Sequence, residues 1–360
     1  MIFIDITEEC NLSCKHCYIT QNKGVISLNI LKKFLKFLKQ NNLLTSEEKI
    51  CFIGGEPLLY KEILRDLINL VKEKYPELKI EVSSNLSFPF NEIKDIIIDP
   101  KVMVHTSLDG TKSTHNKTRV LKEGNSFELV IENLKELVKY KDQIQVIYTF
   151  NPNHEERNFV EFVKLLLEIN PSKWKINLRP ASPLSTFENS GWVFEEVKRL
   201  TNFWIEKYNE GININLNLIS GALTHINNLR QPQQCGIGYT SFNLKPNGDL
   251  WPCSQYYIVK KRKIGNFCED SFEEIEKGRK KLLLYKAILY EKYKEKDCDC
   301  FLKDKCIQVP CPALFEESNY RCDENQRVNV KIVEEVIKIL KNSFSLKELS
   351  KIEIKGDYLE

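Results

Sequence analysis

Between residues 2 and 180, short runs rich in β-branched and aromatic residues alternate with longer segments whose apolar positions recur at helical spacing. The short runs, at residues 2–6, 50–53, 80–83, 102–108, 144–149 and 174–178, predict strands. The segments between them put Leu31, Phe34, Leu35 and Leu38, then Leu64, Leu67, Ile68 and Val71, then Leu134, Leu137 and Val138 on single helical faces. Two further helices carry Phe159, Val163, Leu166 and Leu167, and Val197, Leu200 and Trp204. Strand and helix in six successive units predict an α/β fold whose parallel sheet has helical crossovers and is either open or curled towards a barrel. Folds of this kind carry their chemistry at the C-terminal ends of the strands.

Near residue 210 the pattern changes. Ile212, Ile214, Leu216 and Leu218 alternate with asparagines and predict one more strand, after which cysteines cluster. Pro246-Asn247-Gly248-Asp249 between residues 242–244 and 250–251 is a hairpin signal. Residues 277–293 predict a charged helix and residues 330–340 an amphipathic one, with no internal repeat or low-complexity linker. The expected organisation is a catalytic unit over residues 1–210, a bridging segment over 211–235, a cysteine-rich unit over 236–325 and a helical tail over 326–360.

Composition narrows the function classes. Apolar residues make up 42% of the 360 and charged residues 29%, as in an ordinary globular protein. A formal charge of +3 with no basic motif argues against a nucleic-acid partner. No stretch reaches the roughly 18 apolar residues that span a bilayer, and Met1-Ile2-Phe3-Ile4-Asp5 lacks the basic start of a signal peptide. A cytoplasmic location without membrane contact is expected. Thiols stay reduced there, so twelve cysteines in one chain point to metal ligands or catalytic groups rather than disulfides.

Cys10, Cys14 and Cys17 follow directly on the first predicted strand, at the chemical end of the sheet. At this cysteine content the spacing arises by chance about 0.01 times per chain. Three thiolates on one loop can hold one iron-sulfur cluster, and since such clusters normally take four cysteines, one iron is left open to a small molecule. Zinc is the alternative, with His16 inside the loop as a fourth ligand.

Cys10-x3-Cys14-x2-Cys17 after strand one resembles the signature of radical S-adenosylmethionine (SAM) enzymes, and further motifs fall in that family's order. Gly54-Gly55-Glu56-Pro57 closes the second strand, Ser84-Asn85 the third, and Ser107-Leu108-Asp109-Gly110 the fourth, followed by Arg119. The resemblance implies a partial (β/α)6 TIM-like barrel. It also implies that Gly54, Gly55, Glu56 and Pro57 meet the SAM amino group, that Ser107 and Arg119 meet its ribose and carboxylate, and that the backbone of Leu178 meets adenine. Ser84, Asn85 and Asp109 belong to the same implied cosubstrate site. Glycine permits close backbone approach to a ligand and arginine grips a carboxylate with two prongs, so the residue types suit the task.

The later cysteines resemble the SPASM domain, an extension that binds two auxiliary [4Fe-4S] clusters, which makes three clusters in all. The resemblance implies that Cys298, Cys300, Cys306 and Cys322 hold the outer cluster and Cys235, Cys253 and Cys311 the inner one, whose fourth position falls to Cys268, another side chain or the substrate. Two spacings depart from the family pattern: one residue instead of two between Cys298 and Cys300, and four instead of three between Cys306 and Cys311. Structural zinc on these cysteines is the alternative. Cys51, in an apolar run, is expected as a small core residue.

A radical SAM/SPASM enzyme is expected to cleave SAM reductively to methionine and a 5'-deoxyadenosyl radical that takes hydrogen from an unactivated carbon. The favoured substrate is a ribosomally made peptide or protein, modified by a thioether or carbon-carbon crosslink. A reductant such as flavodoxin or ferredoxin is implied. With nine residues ahead of Cys10, a leader peptide would need another docking surface or a separate leader-binding protein. The alternatives are an anaerobic sulfatase maturase forming formylglycine, radical dehydrogenation or epimerisation, and a non-catalytic electron carrier. Formylglycine formation in that family uses an aspartate directly after the cysteine matching Cys253, where this chain has Ser254. His105, His115, Tyr148 and Arg179 are candidates to face the cavity.

Overall fold

The computed structural model describes residues 1–19, 22–45, 48–122, 124–151, 157–181, 191–227, 235–294, 313 and 324–352. The first half runs β1 (Ile2–Asp5), β2 (Leu12–Cys14), α1 (Leu28–Gln40), β3 (Lys49–Ile53), α2 (Lys61–Lys74), β4 (Lys79–Ser84), α3 (Phe90–Ile97) and β5 (Val102–Ser107). It continues through α4 (Lys112–Thr118), β6 (Arg119–Leu121), α5 (Ser126–Leu137), β7 (Ile144–Phe150), α6 (Phe159–Ile169), β8 (Trp174–Pro180) and α7 (Gly191–Asn209). Then come β9 (Asn215–Leu216), α8 (Asn217–Ile226), β10 (Phe242–Leu244), β11 (Asp249–Trp251), α9 (Ser254–Ile258) and β12 (Gly265–Asn266). The helices α10 (Phe272–Lys294), α11 (Glu324–Ser343) and α12 (Leu346–Leu349) complete it.

The six expected strands form as a parallel set, β1-β3-β4-β5-β7-β8, with helices in the crossovers, as in a partial (β/α)6 barrel. Period-two alternation sorts their side chains. One face sends Ile4, Phe52, Val82, Val104, Val146 and Ile176, all fully buried, against the helices, at roughly 1.5–3 kcal/mol for each large aliphatic side chain. The opposite face is polar: Lys49, Glu81, His105 and Lys175 are buried beside Cys51. Cys51 Sγ shares ligand-range spacing with Glu81 and His105, so it is buried as expected but among charged groups rather than aliphatic ones.

The sheet continues past both ends of this set. β9 pairs parallel with β8, and β10 pairs parallel with β1 while starting the antiparallel hairpin β10-β11-β12. The hairpin signal around Gly248 is correct. The strand expected through Ile212–Leu218 is not: pairing covers Asn215–Leu216 alone, and α8 starts at Asn217. Asn217 turns its amide back onto β8, so an alternating apolar pattern is split between a short strand and a buried helix start. Phe34 and Phe37 of α1 meet Phe242, Phe267 and Phe272 edge-on at ring-centroid distances of 5.6–6.2 Å, fixing the hairpin to the first crossover helix. α11 packs against α7 and α8. Among the described residues no helix is long and apolar enough to cross a membrane.

Candidate metal and cosubstrate site

Cys10, Cys14 and Cys17 occupy the loop leaving the C-terminal end of β1, and none is in a disulfide. Two splints hold the loop. On one side Gly55 N–H donates to Thr7 O (2.8 Å) and Glu56 N–H to Glu9 O (2.8 Å). A Cβ on Gly54 would lie 2.2 Å from Thr7 O, and one on Gly55 would lie 2.2 Å from Glu9 O. The two glycines are therefore required by the cysteine loop's own backbone, a packing reason for their place there besides the expected ligand contact. On the other side β2 pairs antiparallel with β6, setting Cys14 opposite Arg119. This two-stranded ribbon is absent from the sequence expectation because three-residue strands leave no periodicity to detect.

Glu56 is fully buried and accepts from Ser84 Oγ (2.8 Å), Asn85 N–H (2.7 Å) and Leu58 N–H (3.0 Å). Burial pushes its carboxyl up to about 7 despite those donors. It clasps the ends of β3 and β4 together, and Pro57 starts the helical turn that follows. Asn85 Nδ2 reaches Asn11 Oδ1 at 2.8 Å and Cys10 Sγ at 3.8 Å, while Leu12 N–H points at the same sulfur from 3.4 Å.

Arg119 and Asp109 form a buried pair, with Nε 2.8 Å from Oδ2 and Nη2 donating to Oδ1 at 3.1 Å. Asp109 also accepts from Thr118 Oγ1 and the Thr149 N–H, each at 3.0 Å. Burial drives Asp109 towards protonation, but Arg119 outweighs it and holds the carboxyl below its usual range. The remaining amine of Arg119 points at Cys14 Sγ, 3.8 Å away. The arginine expected to take the SAM carboxylate thus also meets an aspartate and a cysteine. His16 lies 3.8 Å from Asp109, yet burial and Arg119 pull its pKa down to about 4, so it is neutral at pH 7 and makes no ion pair there.

Ser107 is the last residue of β5, at the same end of the parallel sheet as the cysteine loop. Leu178, in β8, has its N–H and carbonyl both engaged by the Asn217 amide (3.0 and 2.9 Å). Tyr148 points away from the cavity, into an aromatic cluster with Phe150, Phe159 and Phe162, its hydroxyl on Asn158 at 2.7 Å. His115 is equally removed, accepting the Asp109 N–H on Nδ1 at 3.1 Å. His105 and Arg179 do lie on the polar face of the sheet, His105 at 3.6 Å from Glu81.

The second cysteine region touches the first. Cys253 caps α9, whose Tyr257 hydroxyl donates to Glu8, two residues ahead of Cys10. Lys245, at the end of β10, pairs with Asp5 and with Glu8 (2.7 Å) and lies 3.7 Å above the Tyr257 ring. Ser254 faces the phenol oxygen of Tyr18, the residue after Cys17. Glu8, Tyr18, Lys245 and Tyr257 were not singled out in the sequence; the paired acids directly before the cysteine loop are the trace they leave there. Cys235 is half-buried, and Cys268 is exposed beside Gly248. Cys298, Cys300, Cys306, Cys311 and Cys322 lie outside the described residues.

The donor set fits a cluster. Three free thiols on one loop lie in mutual electrostatic reach, and amide, backbone and guanidinium donors aim at two of the sulfurs. Burial pushes the Cys10 thiol up to about 12, so a bound metal has to drive its deprotonation.

Comparison with known proteins agrees with this geometry. Residues 4–166 match the radical SAM superfamily, and residues 235–301 match SPASM, an iron-sulfur cluster-binding domain. The antilisterial bacteriocin subtilosin biosynthesis protein AlbA of Bacillus subtilis is 24% identical over 84% of this chain and 64% of its own length. The sporulation killing factor maturation protein SkfB of the same organism is 22% identical, over 86% and 70%. The chain thus spans less than two thirds of AlbA. Among solved structures, native anSMEcpe with bound AdoMet and Cp18Cys peptide superposes with a TM-score of 0.72 at 19% identity, covering 95% of this chain and 99% of that one. Streptococcus suis SuiB bound to precursor peptide SuiA gives 0.63 at 16%, covering 91% and 75%. At these identities the structural likeness is one of fold.

Proposed function

Because the chain belongs to the radical SAM superfamily and carries a SPASM iron-sulfur domain, we propose that it is a maturase that crosslinks a ribosomally made peptide through a thioether or carbon-carbon bond. It is an enzyme whose cofactors are iron-sulfur clusters and SAM; the count of three clusters, on the cysteine sets given above, is part of the proposal. A cluster open at one iron supplies reductive cleavage of SAM to methionine and a 5'-deoxyadenosyl radical.

The residues of the chain do the rest. Cys10, Cys14 and Cys17 are the ligands of that cluster, held in place by Gly54 and Gly55. Glu56, Ser84 and Asn85 brace the loop from below, and Ser107 and the backbone of Leu178 border the space left for the nucleoside. The Asp109–Arg119 pair holds a guanidinium N–H against Cys14.

The observation that carries the reading is the contact between the two cysteine regions. Tyr257, on the helix capped by Cys253, donates to Glu8, two residues before Cys10, so proposed ligands of the first and inner clusters lie on elements in direct contact. A substrate modified between them would meet both. The names of AlbA and SkfB as biosynthesis and maturation proteins, and the precursor peptide bound to SuiB, support a peptide substrate. Formylglycine formation is disfavoured because Ser254, a poor base, stands where that chemistry uses an aspartate. A reductant of the flavodoxin or ferredoxin class and a separate leader-binding protein complete the proposed partners.

The test is mass spectrometry of the anaerobically reconstituted enzyme with the short peptide encoded beside its gene. Loss of two hydrogens, mapped to one linkage, is expected. An unchanged peptide mass alongside abundant 5'-deoxyadenosine sinks the crosslinking assignment.

A further inference from the structure

Three adjacent strands each send one metal-binding side chain to the polar face of the sheet. Cys51 of β3 stands opposite Glu81 of β4, and His105 of β5 stands opposite Ser83, two residues further along β4. Alternation puts all three on one face, since their neighbours Phe52, Val82 and Val104 are buried against the helices. Cys51 and His105 are each two residues short of the C-terminal end of their strand, about 7 Å back from the rim where the cysteine loop lies. The group is therefore separate from Cys10, Cys14 and Cys17.

The geometry suits a single ion. Cys51 Sγ, a Glu81 oxygen and a His105 ring nitrogen lie within 4.8 Å of one another, a spacing that an ion with bonds of about 2.0–2.3 Å closes by small side-chain movements. The three residues are nearly sealed from solvent, at 2%, 2% and 8% exposure. His105 Nε2 is 3.6 Å from Glu81 Oε2, too far for a hydrogen bond, and makes none among the described residues. A buried ring nitrogen in that position calls for a partner. Glu81 turns its other oxygen to Lys49, 3.9 Å away, so the oxygen nearest His105 is the one facing away from the lysine. Lys49 and Lys175 are buried on the same face and would oppose a bare cation. A divalent ion held by a thiolate and a carboxylate is formally neutral once the thiol proton has left to solvent, so the lysines face a neutral complex. Burial first, and then these lysines, hold the His105 imidazole neutral, down to about 3, which is the form that coordinates.

We propose that Cys51, Glu81 and His105 form a mononuclear site for a divalent transition ion, with zinc the best match to one sulfur, one nitrogen and one oxygen ligand. The fourth position is left to water or a small ligand. An ion there ties β3, β4 and β5 together beneath the cysteine loop. The site does not depend on the radical SAM reading, and its cysteine belongs to none of the cluster ligand sets proposed above.

The experiment uses the full-length chain, produced with zinc in the growth medium and reconstituted anaerobically with iron and sulfide. Zinc and iron per chain are measured for wild type, Cys51→Ala, His105→Ala and a variant in which Cys10, Cys14 and Cys17 are all alanine. Wild type should carry a zinc that falls at least about tenfold in Cys51→Ala and His105→Ala, with their iron unchanged, and that the triple variant keeps. The zinc X-ray absorption spectrum of wild type should show one sulfur at about 2.3 Å with nitrogen and oxygen at about 2.0–2.2 Å. That spectrum needs no substitution in the sheet, so it decides the matter even where a variant fails to fold. Wild type without zinc, zinc in a shell of three or more sulfurs, or zinc undiminished in a folded Cys51→Ala chain overturns the proposal.

Discussion

Replacing Gly55 by alanine tests whether the glycine pair exists to seat the cysteine loop. The new Cβ would sit 2.2 Å from Glu9 O, 2.6 Å from Glu9 C and 2.7 Å from Glu8 O. All of these atoms are backbone, so no side chain can swing aside, and the loop has to retreat by about 1 Å to restore normal contact. Retreat breaks the Gly55–Thr7 and Glu56–Glu9 hydrogen bonds, both 2.8 Å, at about 1 kcal/mol each, and residual overpacking adds about 1–3 kcal/mol. The expected total is about 3–5 kcal/mol, concentrated one residue away from Cys10. The assay is iron and sulfide per chain after reconstitution, with SAM binding and thermal unfolding alongside. Gly55→Ala should lose the iron of one cluster and most SAM binding. Gly221→Ala on α8, where a Cβ meets nothing within 4 Å, should keep both and gain about 0.5–1 kcal/mol. Full iron content and undiminished SAM binding in Gly55→Ala would refute the assignment of these glycines to the loop.

Three further outcomes are expected. Arg119→Gln leaves the Asp109 carboxylate buried without its partner and should cost about 3–5 kcal/mol; the double variant with Asp109→Asn should recover part of this in denaturant unfolding, and strict additivity would argue against the pair. Glu56 titrates at about 7 in the fold against an ordinary 4.5. Between those values the folded chain keeps a proton that the unfolded chain has lost, so stability falls as pH rises, by about 2 kcal/mol from pH 5.5 to 7. Glu56→Gln should remove that part of the pH dependence, seen as the difference in unfolding free energy between pH 5.5 and 8, and a difference that grows the other way contradicts the buried-acid account. Tyr257→Phe removes the hydroxyl bond to Glu8 and should cost about 1–2 kcal/mol, with faster hydrogen exchange in the loop around Cys10 as the local readout; unchanged exchange there means that α9 does not brace the loop.

The strands were legible in the chain because β-branched runs and helical periods alternate cleanly through residue 180, and the three-cysteine spacing located the site at once. What escaped were features that periodicity does not encode. The β2-β6 ribbon is three residues long on each side, and Asn217 ends a strand by folding its amide back, an event invisible in an alternating pattern. Gly54 and Gly55 were picked out for a ligand, and their packing on Thr7 and Glu9 went unseen, since a need for close approach does not say what approaches. Tyr148 was a candidate for the cavity, yet strand alternation assigns it with Val146 and Phe150 to the helix side. The Glu8–Lys245–Tyr257 contacts join residues some 240 positions apart in the chain, and such partners become visible only when β10 is found beside β1.

On the reading proposed above, Cys10, Cys14 and Cys17 hold a cluster that opens SAM. The most direct measurement is 5'-deoxyadenosine released from SAM by the anaerobically reconstituted, dithionite-reduced chain, compared with a variant in which all three cysteines are alanine. Steady formation by the wild type and none above background in the variant are expected, with iron per chain lower by one cluster. Equal product from both proteins, or a wild type that carries zinc on these cysteines and leaves SAM intact, would contradict it.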